Sequence, residues 1–299
     1  MITSNRRLRD RSSSLAAGTV LVTLVLTGCG TTQEKKITLP PQNIGAWSLP
    51  LDEFTYTASP LRDYAEALLE KPCYEQHGVE WPVPWRPVDV GLGASYSAGL
   101  QRIFNADLAA KFGYHAAPND YEGIAEWKSF VRKTSAIAEK TPGFDQIMDA
   151  CQSASREALP LPADDDMDYA LSAASVINTE ALASAPVISA GQAWASCMAG
   201  RGYAGLSPEP QEAPGDALQE QWKVGYPGTM PGRDEIAMAT ADAACLEEGG
   251  WSEKLYREVW RRQADFVEKN ADRLVRIRQE FADDRERLLG AVAQNAPGE

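Results

Sequence analysis

Four cysteines constrain this chain more than any other feature. Cys73, Cys151, Cys197 and Cys245 are far apart, and each lies within or at the end of a stretch with helical periodicity. No two of them form a short pair such as Cys-x-x-Cys, so the spacing argues against a zinc site. A catalytic thiol would need an activating base, and the two histidines, His77 and His115, could supply one only through proximity in the fold. An even number of dispersed cysteines reads most simply as two crosslinks, provided the chain leaves the reducing cytoplasm.

The N-terminus supplies that condition. Arg6, Arg7, Arg9 and Arg11 precede a mostly apolar run from Leu15 to Leu26. The run is too short for a good membrane-spanning helix and fits the apolar part of a signal peptide. It ends Leu26-Thr27-Gly28-Cys29, which resembles the lipobox of bacterial lipoproteins. That resemblance implies cleavage before Cys29 and attachment of diacylglyceryl and palmitate-type acyl chains to it. The expected organisation is a signal peptide at 1–28, a lipidated flexible tether at 29–58 and a folded domain at 59–299, with halves at 59–160 and 166–295. The tether is polar, with Pro40 and Pro41 side by side, and would reach on the order of 30 Å. Trp47, Leu49, Leu51 and Phe54 could dock its far end on the body. The expected location is the extracytoplasmic side of the cell membrane, with the lipid as the membrane contact.

Export makes the cysteines a disulfide framework, and four cysteines allow three pairings. A weak internal repeat favours one. Cys73 and Cys197 each end a helix-like stretch, and each is followed five residues later by glycine (Gly78, Gly202) and then an apolar residue. Glycine there is the expected helix C-terminal cap. Each copy precedes a second cysteine in another helical pattern. The expected pairs are Cys73–Cys151 and Cys197–Cys245.

Helical signals dominate the rest. Ser59-Pro60 opens a helix that Pro72 should kink. Asn105 and Asp120 read as caps, Thr141-Pro142 and Asp166 as starts, and Ser184 as another cap. Residues 79–100 and 204–231 are rich in Pro and Gly and read as irregular. From Ser252 a long helix is expected to run to Gln294, with Trp260, Val267, Leu274, Phe281 and Leu288 recurring every seven residues. Packing within the chain is the simpler use of that stripe, and a partner helix the alternative. No long alternating strand is present. The fold class is all-α, a disulfide-linked helical domain with a weak two-fold repeat and a long C-terminal helix.

Chemistry is harder to find. The formal net charge is −13, and signal-peptide cleavage removes four arginines and one aspartate to leave −16. Such a chain is poorly suited to neutralising phosphates, so no nucleic-acid partner is expected. The run Asp164–Asp168 fails as a calcium loop, because Tyr169 and Ser175 stand where glycine and glutamate are required. No Gly-x-Ser-x-Gly, Ser-x-x-Lys, His-Glu-x-x-His or P-loop pattern occurs, and no metal or cofactor is expected. Of the eight tryptophans, Trp127, Trp194 and Trp260 lie on apolar helical stripes. Trp47, Trp81 and Trp85 lie in proline-rich segments, and Trp81 and Trp85 are the candidate platform for an apolar ligand or a glycan.

Trp194-Ala-Ser-Cys197-Met198 with Gly202-Tyr203, then Glu235 to Asp242 and Cys245, then a long helix carrying Gln263 and Asn270, resemble features of actinobacterial secreted proteins and lipoproteins of unknown function. The resemblance implies export, disulfides and helices, and no catalytic residues. The expectation is a lipid-anchored, non-catalytic envelope protein that binds or assists an envelope protein or a ligand. The alternatives are an envelope hydrolase, which needs a deep cleft with convergent acids of perturbed pKa, and small-ligand or glycan capture by the Trp/Pro-rich loops.

Overall fold

A computed structural model describes residues 37–91 and 93–298. The expected signal peptide, Cys29 and the first part of the expected tether lie outside the described residues. The helices are α1 (Ser59–Gln76), α2 (Ala106–Phe112), α3 (Ile124–Lys140), α4 (Phe144–Ala158), α5 (Asp164–Met167), α6 (Tyr169–Leu182), α7 (Ala185–Gly200), α8 (Asp216–Trp222), α9 (Arg233–Gly249), α10 (Trp251–Lys269) and α11 (Ala271–Asn295). Among the described residues there is no strand, only two isolated bridges, Asn43–Ser48 and Tyr96–Arg102. No single described helix is long and apolar enough to cross a membrane. The apolar helices α6 and α7 meet at 65°, and α7 buries Val187, Ala190, Trp194 and Met198 in the protein interior.

Two hydrophobic cores share α11. One gathers α1, α3, α4 and the segment Val79–Val83, with Leu288 and Val292 from the end of α11. The other gathers α2, α6, α7, α9 and α10, with Leu274 from the start of α11. The cores therefore do not follow the expected halves: α2 belongs with the later helices, and the C-terminal turns of α11 belong with the early ones.

Disulfides join Cys73 to Cys151 and Cys197 to Cys245. Both helix ends close alike. The Val79 N–H donates to Tyr74 O and the Tyr203 N–H to Met198 O, each at 2.9 Å, with Gly78 and Gly202 in the left-handed region.

Several boundaries differ from the sequence expectation. The segment expected to stay a tether to residue 58 is packed on the body from Ile37 onward. Leu49, Leu51 and Phe54 are almost fully buried around a short 3-10 turn, because burying three large apolar side chains outweighs the entropy of a free chain. The helix α1 runs through Pro72, since Tyr74 is core and Cys73 is crosslinked just beyond it. Asp120 does not cap α3, which starts after the left-handed Gly123, and Gly143 rather than Thr141 precedes α4. The C-terminal helix is interrupted at Asn270. There the side-chain Nδ2–H donates to Phe266 O at 2.8 Å and Oδ1 accepts from the Tyr169 hydroxyl at 2.9 Å. Side-chain bonds to the backbone compete with helix continuation at such a residue.

Glu70 is buried beside Ser155, whose hydroxyl donates to it at 3.2 Å. Burial pushes the Glu70 carboxyl up to about 7, against the Ser155 hydrogen bond, and nearby Glu66 adds to the rise. The folded state therefore holds a proton that the unfolded chain releases near its ordinary carboxylate range, and this contribution to stability grows as pH falls from about 7. Thermal unfolding at pH 8 and pH 5 should show the higher melting point at pH 5, and Glu70→Gln should raise the pH 8 value and flatten the difference. An unchanged difference in the variant would remove Glu70 from this account.

Candidate functional site

The helix α9 is rich in alanine, yet it buries two acids on one face, Glu235 and Asp242, seven residues apart. Two helical turns bring both beneath the same neighbour, Tyr114. The Tyr114 N–H donates to Glu235 Oε1 at 2.8 Å, and its hydroxyl donates to Asp242 Oδ2 at 3.0 Å. The second Asp242 oxygen accepts from Trp194 Nε1–H at 2.8 Å. Gly113 makes this approach possible: a Cβ there would lie 2.4 Å from Glu235 Oε1. His115 Nε2 stands 3.5 Å from the other Glu235 oxygen. Burial pushes the Asp242 carboxyl up to about 6, although both hydrogen bonds and Arg102 oppose the rise. Burial, together with Asp242, pushes the Tyr114 hydroxyl well above its ordinary value.

Asp242 forms part of the wall of a cavity of about 230 Å³. Its apolar wall includes Trp47, Phe104, Trp251 and Leu255, and its polar groups include Arg102, Gln101, Asn178 and Ser252. A few fixed polar groups in a mainly apolar recess are the usual constitution of a small-molecule site. A second trough of about 470 Å³ shares Trp47, Phe104 and Leu246 with it and opens outward toward Ile44.

The two isolated bridges frame this cavity. Each closes a short loop, and each loop carries a non-glycine residue in the left-handed region: Trp47 at φ 48° and Leu100 at φ 61°. Such backbone costs on the order of 1 kcal/mol per residue and persists only where its surroundings impose it. Tyr256 imposes it on the first loop. Its hydroxyl accepts from Asn43 N–H at 2.8 Å and donates to Ser48 O at 2.6 Å, and its ring meets Trp47 edge-on at 5.5 Å. Asp52 links the first loop to the second. It accepts from Leu49 N–H at 2.9 Å and sits so close to Gly99 that a Cβ there would lie 2.4 Å from Asp52 Oδ1.

Sequence-derived candidates fare unevenly. Trp81 is no open platform: it is buried, stacked on Tyr74 at 3.9 Å between ring centroids and edge-on to Phe130. Trp85 is half-buried, with its backbone carbonyl against Gly123, and does not line the cavity. The irregular stretch 204–231 does reach the cavity, through Pro210, Gln211 and Ala213. His77 is exposed at the end of α1. Within the acidic run, Asp166 pairs with Arg273 at 2.8 Å. Among the described residues no three His, Cys, Asp or Glu side chains gather as metal ligands. Arg102, Tyr114 and the burial of Asp242 were not singled out by sequence. The available signal was two acids seven apart on an otherwise small and apolar helix face.

Compared with protein-family models, curated proteins and solved structures, the chain matches none.

Proposed function

We propose that this is a lipid-anchored envelope protein whose body binds a small ligand in the cavity between Trp47 and Asp242, without chemically altering it. The observation that carries this reading is the pair of strained loops, at Trp47 and Leu100, fixed beside a recess that combines aromatic walls with a few oriented polar groups. The anchor rests on the resemblance of Leu26-Thr27-Gly28-Cys29 to a lipobox, and the extracytoplasmic location on the same residues and on the two disulfides.

The alternative of an envelope hydrolase using paired carboxylates has less support. Asp242 is the one acid in the described cavity wall, and both of its oxygens already accept hydrogen bonds from Trp194 and Tyr114. The other buried acid with a strongly raised pKa, Glu70, belongs to the opposite core, beside Ser155. Capture of an accessory envelope protein at this site would need a larger open surface than the recess offers.

The membrane half of the reading is tested by fractionation. Wild-type protein should sediment with membranes, and Cys29→Ser should release it; equal membrane association of both would remove the lipid anchor. The binding half is tested by a thermal-shift screen of small apolar and glycan ligands on the full chain. A hit should raise the melting point of wild-type protein, and Trp47→Ala should weaken its binding by roughly tenfold or more, as truncating a tryptophan contact typically does. Hits indifferent to Trp47 would place binding elsewhere.

A further inference from the structure

Among the described residues, the cavity wall contains a single cation, Arg102. Arg102 donates from Nη2 to Tyr114 O at 2.6 Å, and its guanidinium lies 5.2 Å from the centre of the Phe104 ring. These contacts fix the head of the side chain while leaving it accessible to water within the recess. Among the described residues, Nε and Nη1 meet no protein acceptor and no carboxylate lies within ion-pair distance of the guanidinium. Asp242 does not serve as that partner, because its oxygens are directed at Trp194 and Tyr114. Arg102 is exposed by surface area, yet the protein packed around it makes the guanidinium harder to keep charged, against the pull of Tyr96, Asp242 and Tyr114. An arginine held in this way, with Nη2 bonded to Tyr114 and its Nε and Nη1 donors unfilled among the described residues, is suited to a planar anionic partner.

We propose that the cavity takes a small apolar monocarboxylate, with its carboxylate on the Arg102 guanidinium and its apolar body against Trp47, Phe104 and Trp251. This rests on the reading of the cavity as a ligand site and specifies the ligand class. A single negative charge is favoured over two, because Asp242 shares the recess and a dianion would face it. A cationic ligand would meet Arg102 unscreened. The volume of about 230 Å³ limits the body to about one ring or a short chain. The carboxylate could belong to a free acid or to the C-terminus of a short peptide.

The test uses the full chain and four probes: phenylacetate, its neutral isostere phenylacetamide, N-acetylphenylalanine and N-acetylphenylalanine amide, each titrated by ligand-observed NMR. Phenylacetate should bind at least tenfold more tightly than phenylacetamide. Arg102→Gln should erase that preference, Arg102→Lys should retain part of it, and Trp47→Ala should weaken both probes. If only the acetylated amino acid binds, and prefers its acid to its amide, the carboxylate assignment stands with a peptide C-terminus as the source. Equal binding of acids and amides to wild-type protein overturns the carboxylate assignment while leaving the cavity as a ligand site. Binding of neither pair, or binding unaffected by Trp47→Ala, overturns both. The acid-to-amide comparison on wild-type protein needs no variant, so a folding defect in Arg102→Gln cannot mask the outcome.

Discussion

Replacing Asp284 with alanine should destabilise the body by about 3–5 kcal/mol, the range for removing one member of a buried ion pair. Asp284 is 1% exposed, and its Oδ1 accepts from Arg62 Nη2 at 2.5 Å while Oδ2 accepts from the Tyr56 hydroxyl at 2.7 Å. Arg62 uses its remaining donors on Tyr56, Glu66 and the carbonyl of Leu159. These contacts tie the start of α1 to the middle of α11 and to the end of α4. Without the carboxylate, the buried guanidinium keeps only the partly exposed Glu66 as a counter-charge, beside the neutral Tyr56 hydroxyl and Leu159 carbonyl, and Arg287 loses its partner as well. The melting point should fall by about 10 °C, given a fall of roughly 2–4 °C per kcal/mol in a domain of this size. The double variant Arg62→Met with Asp284→Leu should recover much of the loss, because it removes both charges and fills their space. A single Asp284→Ala variant that melts within 2 °C of wild type, an allowance of roughly 1 kcal/mol, would show that the pair does not hold the two helices together.

That network also marks the limit of what the sequence discloses. Helix periodicity places most helices and their ends, because each depends on residues a turn or two apart. Asn105 illustrates this: its side chain accepts from Leu108 N–H, the local bond that its position implies. The disulfide partners are legible because the two cysteine-bearing helix ends share a local pattern. Asn270 is different. Its interruption of the C-terminal helix depends on Tyr169, about a hundred residues earlier, so the heptad stripe alone reads as continuous. The same holds at the candidate site. Asp242 accepts from Tyr114 and Trp194 on separate elements, and in a chain this acidic one more aspartate carries no mark. Trp81 fails as a platform for a related reason: proline neighbours suggest a loop, but only the stack on Tyr74 reveals that the loop is folded inward.

Loss of the Cys73–Cys151 crosslink should have a larger local consequence than loss of Cys197–Cys245, although the two loop-closure effects are similar. The crosslinks close loops with sequence separations of 78 and 48 residues, for which chain entropy gives about 4.5 and about 4 kcal/mol. Their settings differ. The second joins α7 and α9, which already pack side by side in the core around Trp194 and Met238. The first joins α1 to α4, and α4 with α3 forms a hairpin held chiefly through α1. Only Phe130, Phe144, Cys151 and Ser155 of that hairpin are buried. Cutting this crosslink removes one of few attachments, so α3 and α4 should open before the rest of the body. In Cys73→Ala with Cys151→Ala, hydrogen exchange should accelerate by a hundredfold or more along 124–158, as expected for roughly 3 kcal/mol of local opening, while α7 and α9 keep most of their protection. In Cys197→Ala with Cys245→Ala, exchange should rise across α6, α7, α9 and α10 together, because that core opens as one unit. Equal, global loss of protection in both variants would mean that the two cores unfold as a single cooperative body, with α11 transmitting the loss between them through Leu274 at one end and Leu288 at the other.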